Sequence, residues 1–399
     1  MSAPLDGLSV LDISQGVPGP FCAKLLGDLG ADVVKVEPPG RGDSSRSLAP
    51  ATNGGGTNGD AASGTFFFMN TSKRGVTLDL DSERGRELLG ELLPRYDIVV
   101  AGETEGELAA RGLGYAQLQR WNPNVILTTI SGFGSEGPYA GYRWSHLIAC
   151  AVGGWSNNCG VPDREPLQAG GAIAETFTGA FAAAGTLIAA LGRDAHGGGE
   201  HVDVSAQEAA LAAALFPTLA YEYRGAVGER NSHRGPGPSF ILPTSDGHVG
   251  VNVLTGAQWD LLCQFFGRQD MLDDPRFAAG QRYLHADDVR DEFAPLLADR
   301  TAEDVFHDGQ TWRVPFGLVP DLEGIANFLP HREREFFVEL DHPSEGGVVA
   351  VPGVPFKSTA TEPVAGPPPA IGEHNEHVFG ELLGLSASEI AELSREGVI

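Results

Sequence analysis

The sequence predicts an α/β protein whose large domain is a doubly wound parallel sheet, with a smaller α+β domain beside it. Three observations carry this. Short apolar runs of strand length alternate with helical patterns over the first 134 residues, as in successive βαβ units. Gly-, Pro- and Asp-rich turns separate the runs. The texture then changes near residue 235, where GPGPSFILPTSDGHVGVNV reads as a hairpin around Asp246-Gly247. With 399 residues, 42% of them hydrophobic, the chain suffices for two or three domains.

The elements follow in order. SVLDIS (9–14) reads as a strand, QGVPGP as a turn and FCAKLLGDLG as a helix. ADVVKVEPP is the second strand and closes a βαβ unit. The rhythm repeats through strand GVTLDL, helix SERGRELLGELLPR, strand YDIVVAG, short helix LGYAQLQRWNP and strand NVILTTISGFG. ATNGGGTNGDAASG (51–64) reads as a surface loop. GGAIAETFTGAFAAAGTLIAALGR (170–193) is almost wholly small or apolar, with one carboxylate, Glu175, near its start. A strand and an alanine-rich helix follow in GGGEHVDVSAQEAALAAALF. Residues 1–200 are assigned to the large domain, 225–330 to the small one, and 335–399 to a C-terminal return. In that return FFVELDHPSEGGVVAVPGVPFKS reads as strands and turns, and VFGELLGLSASEIAELSREGVI as a final helical pair.

Composition excludes several function classes. The net charge is −26, so a general nucleic-acid surface is not expected. Lysine occurs only four times, against 23 arginines, and Lys24, Lys35 and Lys73 fall in the first 73 residues. An anionic ligand is therefore expected to use a local basic cluster there. No apolar run is read as long enough to span a bilayer. The N-terminus MSAPLDGLSVLDIS lacks a signal pattern, and Cys22, Cys150, Cys159 and Cys263 form no CxxC pair. A cytoplasmic setting without disulfides is expected.

Several stretches carry candidate chemistry. GVPGP (16–20) precedes a helix whose backbone N–H groups suit an anion, although on pattern alone a plain turn explains it better. No GxGxxG fingerprint is read in the chain, nor GxxxxGK[ST], which withdraws support from nicotinamide and nucleoside-triphosphate chemistry. GRGDSSR (40–46) supplies Arg46 after the second strand, at the kind of strand end where ligands collect, and NTSKRG (70–75) supplies Lys73 and Arg74 just before another strand; on pattern alone solvated loop charges explain both better. His374 and His377 form an HxxH pair with no third ligand signposted, so no metal site is assigned. No GxSxG elbow is present. Glu175 has two readings, a first-turn acid favoured by the helix dipole or a carboxylate set where a thioester is brought against it.

Taken in order, PLDGLSVLDISQGVPGP, LLGDLGADVVKVEPPGRGDSSR, NTSKRGVTLDL, LGYAQLQRWNPNVILTTISGFGSEGPYA, the Glu175 segment with GGGEHVDVSAQEAAL, and PAIGEHNEHVFGELLG resemble one family over nearly the whole chain. It is the class III CoA-transferases, of the formyl-CoA and carnitine CoA-transferase type, with the related α-methylacyl-CoA racemases. The resemblance implies a large Rossmann-like domain built from both chain ends, a small domain, and two subunits linked as interlocked rings. It implies an acyl-CoA and a small carboxylic acid as substrates, with no permanently bound cofactor. Glu175 stands at the family's aspartate nucleophile, which forms a covalent CoA thioester. Arg46, Lys73, Arg74 and Arg143 match or neighbour basic family positions and are the implied CoA-binding residues.

Three departures stand out. The nucleophile is Glu, not Asp. The family's asparagine-phenylalanine-arginine-proline-glycine run is GETEG (102–106), which puts Thr104 between Glu103 and Glu105. His146 occupies a commonly acidic position, where a His146–Glu175 pair suits α-proton transfer, as in the racemases. Three functions remain open on the sequence: a transferase using Glu175, a racemase or epimerase using His146 and Glu175, and a non-catalytic subunit of a hetero-oligomer. TFFFMN (65–70) and NVLTGAQW (252–259) are the loops expected to shape the acyl pocket, with Phe66–Phe68 equally suited to core.

Overall fold

The computed structural model describes residues 3–50, 63–161, 163–225, 227, 230, 239–342 and 346–399. The loop expected over 51–64 lies outside these residues from 51 to 62. The chain divides into two compact units, Met1–Arg230 with Phe336–Ile399, and Asn231–Glu335.

The first unit opens β1 (Ser9–Asp12), α1 (Pro18–Gly27), β2 (Asp32–Glu37), α2 (Gly64–Met69), β3 (Lys73–Thr77), α3 (Glu83–Leu92) and β4 (Ile98–Ala101). It continues with α4 (Glu105–Ala110), α5 (Tyr115–Trp121), β5 (Ile126–Ser131), α6 (His146–Val152), α7 (Trp155–Asn158), α8 (Ile173–His196), β6 (His201–Ser205), α9 (Ala206–Ala213) and α10 (Leu215–Arg224). Strands β1–β6 form one sheet in the order β3-β2-β1-β4-β5-β6, parallel at every pairing.

Alternation along each strand builds two cores. Val10, Val33, Ile98, Val100 and Ile126 pack beneath Cys22, Ala23 and Leu26 of α1 and Ala182, Ala183 and Ala189 of α8. Leu11, Val34, Val76, Val99 and Leu127 pack on the opposite face against Leu88, Leu89 and Leu92 of α3. Successive side chains of a strand point to opposite faces, so both faces are covered, as a parallel sheet requires.

The second unit holds β7 (Ser239–Pro243), β8 (His248–Asn252), α11 (Gly256–Phe265), α12 (Ala286–Phe293), α13 (Ala302–Trp312), β9 (Phe316–Leu318), α14 (Leu322–Asn327) and α15 (Leu329–Glu333). Its three strands are antiparallel. The β7–β8 turn closes where expected, with the Thr244 N–H donating to the Gly247 carbonyl at 2.9 Å. Trp259, Phe277, Phe293 and Phe316 form its core.

The return, in the first unit, adds the antiparallel hairpin β10 (Phe337–Asp341) and β11 (Val348–Pro352). It adds a π-helical segment, Glu376–Leu382, and α16 (Ala387–Arg395). It gives no strand to the six-stranded sheet but seals its second face with Val378, Phe379, Leu393 and Ile399.

One expectation is corrected. Over Ile173–Arg193, α8 is long and apolar enough to cross a membrane by length and composition, with a mean hydropathy of 1.4. Its hydropathy is spread over alanines rather than concentrated in a run of large residues, and its alanines pack onto the sheet and α1.

Candidate active site

A helix that follows a parallel strand runs back antiparallel to it, so the N-termini of α1 and α8 lie at the carboxyl edge of the sheet. Ligands of open α/β sheets collect at that edge, where the strand order reverses. Here the reversal falls between β1 and β4. A cleft of about 420 Å³ opens there, lined by Ser14 and Gln15 after β1, Pro38 and Arg41 after β2, and Glu103 after β4.

Glu175 sits in the first turn of α8, where the dipole favours a negative charge. Its side chain is 21% exposed and accepts no hydrogen bond among the described residues. Burial pushes its carboxyl above the ordinary glutamate range, and His146 opposes that rise. The surrounding small residues have a packing cause. A Cβ on Gly179 would lie 2.5 Å from the Pro18 carbonyl oxygen, so glycine lets the second turn of α8 touch the first turn of α1.

His146 opens α6. Its Nδ1 lies 4.0 Å from Oε2 of Glu175 and is buried without a hydrogen-bond partner. Its Nε2 lies 3.0 Å from the Ala169 carbonyl oxygen and 3.5 Å from Sγ of Cys150. Ala149, Cys150, Ala169, Ala174, Ala206 and Ala210 pack around the pair, with Trp144 and Trp155. The fold thus brings Glu175 and His146 together. Neither lines the cleft at the sheet reversal.

The four basic candidates do not converge. Lys73 is fully buried, and its three N–H groups are taken by Asp12 Oδ2 at 2.8 Å, the Pro20 carbonyl at 2.9 Å and Asn70 Oδ1 at 2.9 Å. Arg46 is buried and grips Glu37 through two hydrogen bonds of 2.7 Å, with a third to the Pro369 carbonyl and its guanidinium over the Phe66 ring. Both charges are paired inside the protein, where an unpaired ion is costly, with Nη1 of Arg46 buried and left without a partner among the described residues. Arg74 pairs with Asp32 and lies 2.6 Å from His377 Nε2. Arg143 is exposed and makes no side-chain bond among the described residues.

Sequence reasoning missed Arg41, in the same GRGDSSR run as Arg46. It is exposed, lines the cleft, and has no side-chain partner among the described residues. Burial separates the two arginines, and charge alone does not reveal it. The acidic GETEG run (102–106) is tied up locally. Thr104 caps α4 in a capping box with Glu107, and Arg111 neutralises Glu103 at 2.6 Å. Phe66 and Phe67 are core. A GxGxxG spacing does occur after β5, as GFGSEG (132–137), but it opens no helix, since α6 begins only at His146.

His374 Nδ1 accepts from the Gly75 N–H at 3.1 Å, and His377 pairs with Glu381. No cluster of three metal-ligating side chains occurs among the described residues.

A parallel sheet in the order 3-2-1-4-5-6, with an unbonded carboxylate on a helix at its carboxyl edge, defines a Rossmann-type α/β protein with an acidic candidate site. Residues 5–375 match CoA-transferase family III, and the chain belongs to that family. It is 33% identical to the succinyl-CoA–D-citramalate CoA-transferase of Chloroflexus aurantiacus, over 99% of this chain and 98% of that protein. It is 30% identical to the formyl-CoA:oxalate CoA-transferase of Streptomyces avermitilis, over 100% of both chains. Among solved structures, a CaiB/BaiF family protein from Brucella suis superposes with a TM-score of 0.85 at 27% identity, over 96% of this chain and 100% of that one.

Proposed function

We propose that the protein is an acyl-CoA:carboxylate CoA-transferase that works through a covalent glutamyl-CoA thioester on Glu175. One observation carries the reading: Glu175 is a partly exposed carboxylate at the head of a 24-residue helix, and no hydrogen bond among the described residues holds it in place. A carboxylate kept only for structure is normally bonded.

The chemistry balances without ATP. A Glu175 oxygen attacks the thioester carbonyl, and the C–S bond breaks with its electron pair leaving on CoA thiolate. The product is a mixed anhydride between Glu175 and the acyl group. The thiolate attacks the Glu175 carbonyl carbon and releases the acyl group as its carboxylate. An incoming carboxylate then attacks the glutamyl thioester, and CoA thiolate attacks the new anhydride at the acyl carbon. A new acyl-CoA leaves and Glu175 is restored. Arg41 at the sheet reversal and exposed Arg143 are the cations proposed for the CoA phosphates, whereas Arg74 is half-buried and already paired with Asp32.

A racemase pairing of His146 with Glu175 is less well supported. Nε2 is tied to the Ala169 carbonyl and Nδ1 is buried, so the imidazole meets a substrate only through Glu175. A homodimer is part of the proposal, supported by the exposed Phe177, Phe181, Ile188 and Leu191 along α8, as is a reducing cytoplasmic setting, supported by the four free cysteines.

The test is intact-mass analysis after incubation with succinyl-CoA, formyl-CoA and other acyl-CoA esters, followed by borohydride reduction and peptide mapping. A CoA adduct on Glu175, absent from Glu175→Gln, is expected. Label exchange from free acid into acyl-CoA that survives Glu175→Gln would reject the reading. Exchange seen only with a co-purifying paralogue would assign the chain to a non-catalytic role.

A further inference from the structure

We propose that His146 is a positioning residue for Glu175: anchored at Nε2 by the Ala169 carbonyl, the imidazole presents Nδ1 to the carboxylate, and a proton held there keeps Glu175 ionised for attack. This rests on the reading of Glu175 as the nucleophile.

The tautomer follows from the donors and acceptors around the ring. A carbonyl oxygen only accepts. The Nε2 at 3.0 Å from the Ala169 oxygen therefore carries a hydrogen in neutral and charged imidazole alike. Cys150, 3.5 Å from the same nitrogen, has no lone pair there to receive its thiol proton. A thiol–imidazole nucleophile pair is thereby excluded. Only Nδ1 remains free to titrate. It is buried, unbonded and 4.0 Å from Glu175 Oε2. Without a proton, its lone pair opposes the carboxylate lone pairs in a poorly solvated space. With one, an imidazolium faces a carboxylate, and an opposite charge at that range favours the ionised acid.

Among the described residues, no second charge is free for this role on the elements packed against α8: Lys24 of α1 is paired with Asp28, and His201 and Asp203 of β6 are engaged by Thr129 and Ser135. Cys150 is the other titratable group on α6. Glu175 is the sole charged residue of α8 before Arg193. Glu208, the sole charged residue of α9, is exposed, and α7 carries none. Asp163, Arg164 and Glu165, in the segment leading to Ala169, are exposed, as is Arg143 before α6. Burial raises the Glu175 carboxyl, and His146 is the charge that lowers it. During attack no proton passes to substrate. The C–O bond forms from the ionised carboxylate, and thiolate leaves with the electron pair.

The test is carbon-13 NMR of the full-length protein labelled at glutamate carboxyl carbons, with Glu175 assigned by its loss in Glu175→Gln. In His146→Gln the Glu175 titration midpoint is expected to move up by about one to three pH units. His146→Asn, read in the same way, decides the matter if His146→Gln does not fold. An unmoved midpoint overturns the proposal, and a purely structural role would lower thermal stability without moving it. Failure of the nucleophile reading is separately visible as absence of the Glu175 adduct in the wild type, which leaves these titrations intact.

Discussion

Oε2 of Glu175 and Nδ1 of His146 face each other across 4.0 Å, each at the first turn of its own helix. Neither atom has a hydrogen-bond partner among the described residues. A carboxylate set this way is free to leave its partner for an incoming carbonyl carbon.

Reach is the first consequence. Glu175→Asp keeps the charge but withdraws the carboxylate by roughly an ångström, a displacement that costs on the order of 100-fold in rate. The turnover number is expected to fall by that factor with the KM for acyl-CoA little changed, as read by steady-state exchange of labelled acid. A fall of less than threefold would show that the extra methylene is not needed for alignment.

The second concerns pH. Burial holds the Glu175 carboxyl above the ordinary value of 4.5, and only the ionised form attacks. The exchange rate is therefore expected to drop on the acid side with a midpoint above 4.5. The sign for stability follows. The native state binds more protons than the unfolded state between the two values, so the stabilising contribution is fully present below 4.5 and is lost as pH rises through the native value. Wild type minus Glu175→Gln stability, from denaturant midpoints at several pH values, should decline across that window.

Strands, helix order and the β7–β8 turn were legible because they rest on local period and turn chemistry. SVLDIS and ADVVKVEPP became β1 and β2 with only their ends trimmed. Glu175 stood out as an isolated charge in an apolar run, whereas Arg143 was singled out only through the resemblance to a basic family position. The fate of Lys73 and Arg46 was not legible. Both lie in basic motifs, but Asp12 reaches Lys73 across the sheet from the far side of β2, and Glu37 meets Arg46 only because the turn after β2 folds back on it, and no local pattern encodes either. Arg41 was missed for the converse reason: its value is the absence of a partner.

Lys73 yields the third prediction. It neutralises buried Asp12 at 2.8 Å, with Lys35 farther away at 3.6 Å. Lys73→Met removes the nearer cation and leaves Asp12 half-compensated, a change worth about 3 kcal/mol of stability. The urea midpoint should fall accordingly, while Arg41→Ala should leave it unchanged and raise the KM for acyl-CoA. Equal stability losses in both variants would contradict the division into buried and free cations.

Gly179 yields the fourth. A methyl there would press 2.5 Å from the Pro18 carbonyl and 3.0 Å from Phe21 Cδ1. Backbone cannot yield as a flexible side chain does, so Gly179→Ala must push α8 from α1 at about 1–3 kcal/mol. Glu175 lies one turn earlier and should shift with it. Both a lower melting temperature and a reduced exchange rate are expected, whereas Gly170→Ala, with nothing within 4 Å of its added carbon, should change neither.

The apolar face of α8 yields the last. Ile188 is 69% exposed and Leu191 82%, and with Phe177 and Phe181 they recur at helical spacing along one side. A contiguous apolar stripe on a free surface is unfavourable and marks an interface. Its continuation from the Glu175 turn to the far end of α8 matches a second copy better than a small ligand. Charged heads there would be desolvated on association and left unpaired, which costs several kcal/mol each. Ile188→Lys with Leu191→Lys should therefore convert the dimer proposed for the wild type into monomer, read as halving of the mass by light scattering. Dimers that persist with unchanged affinity would move the interface off α8.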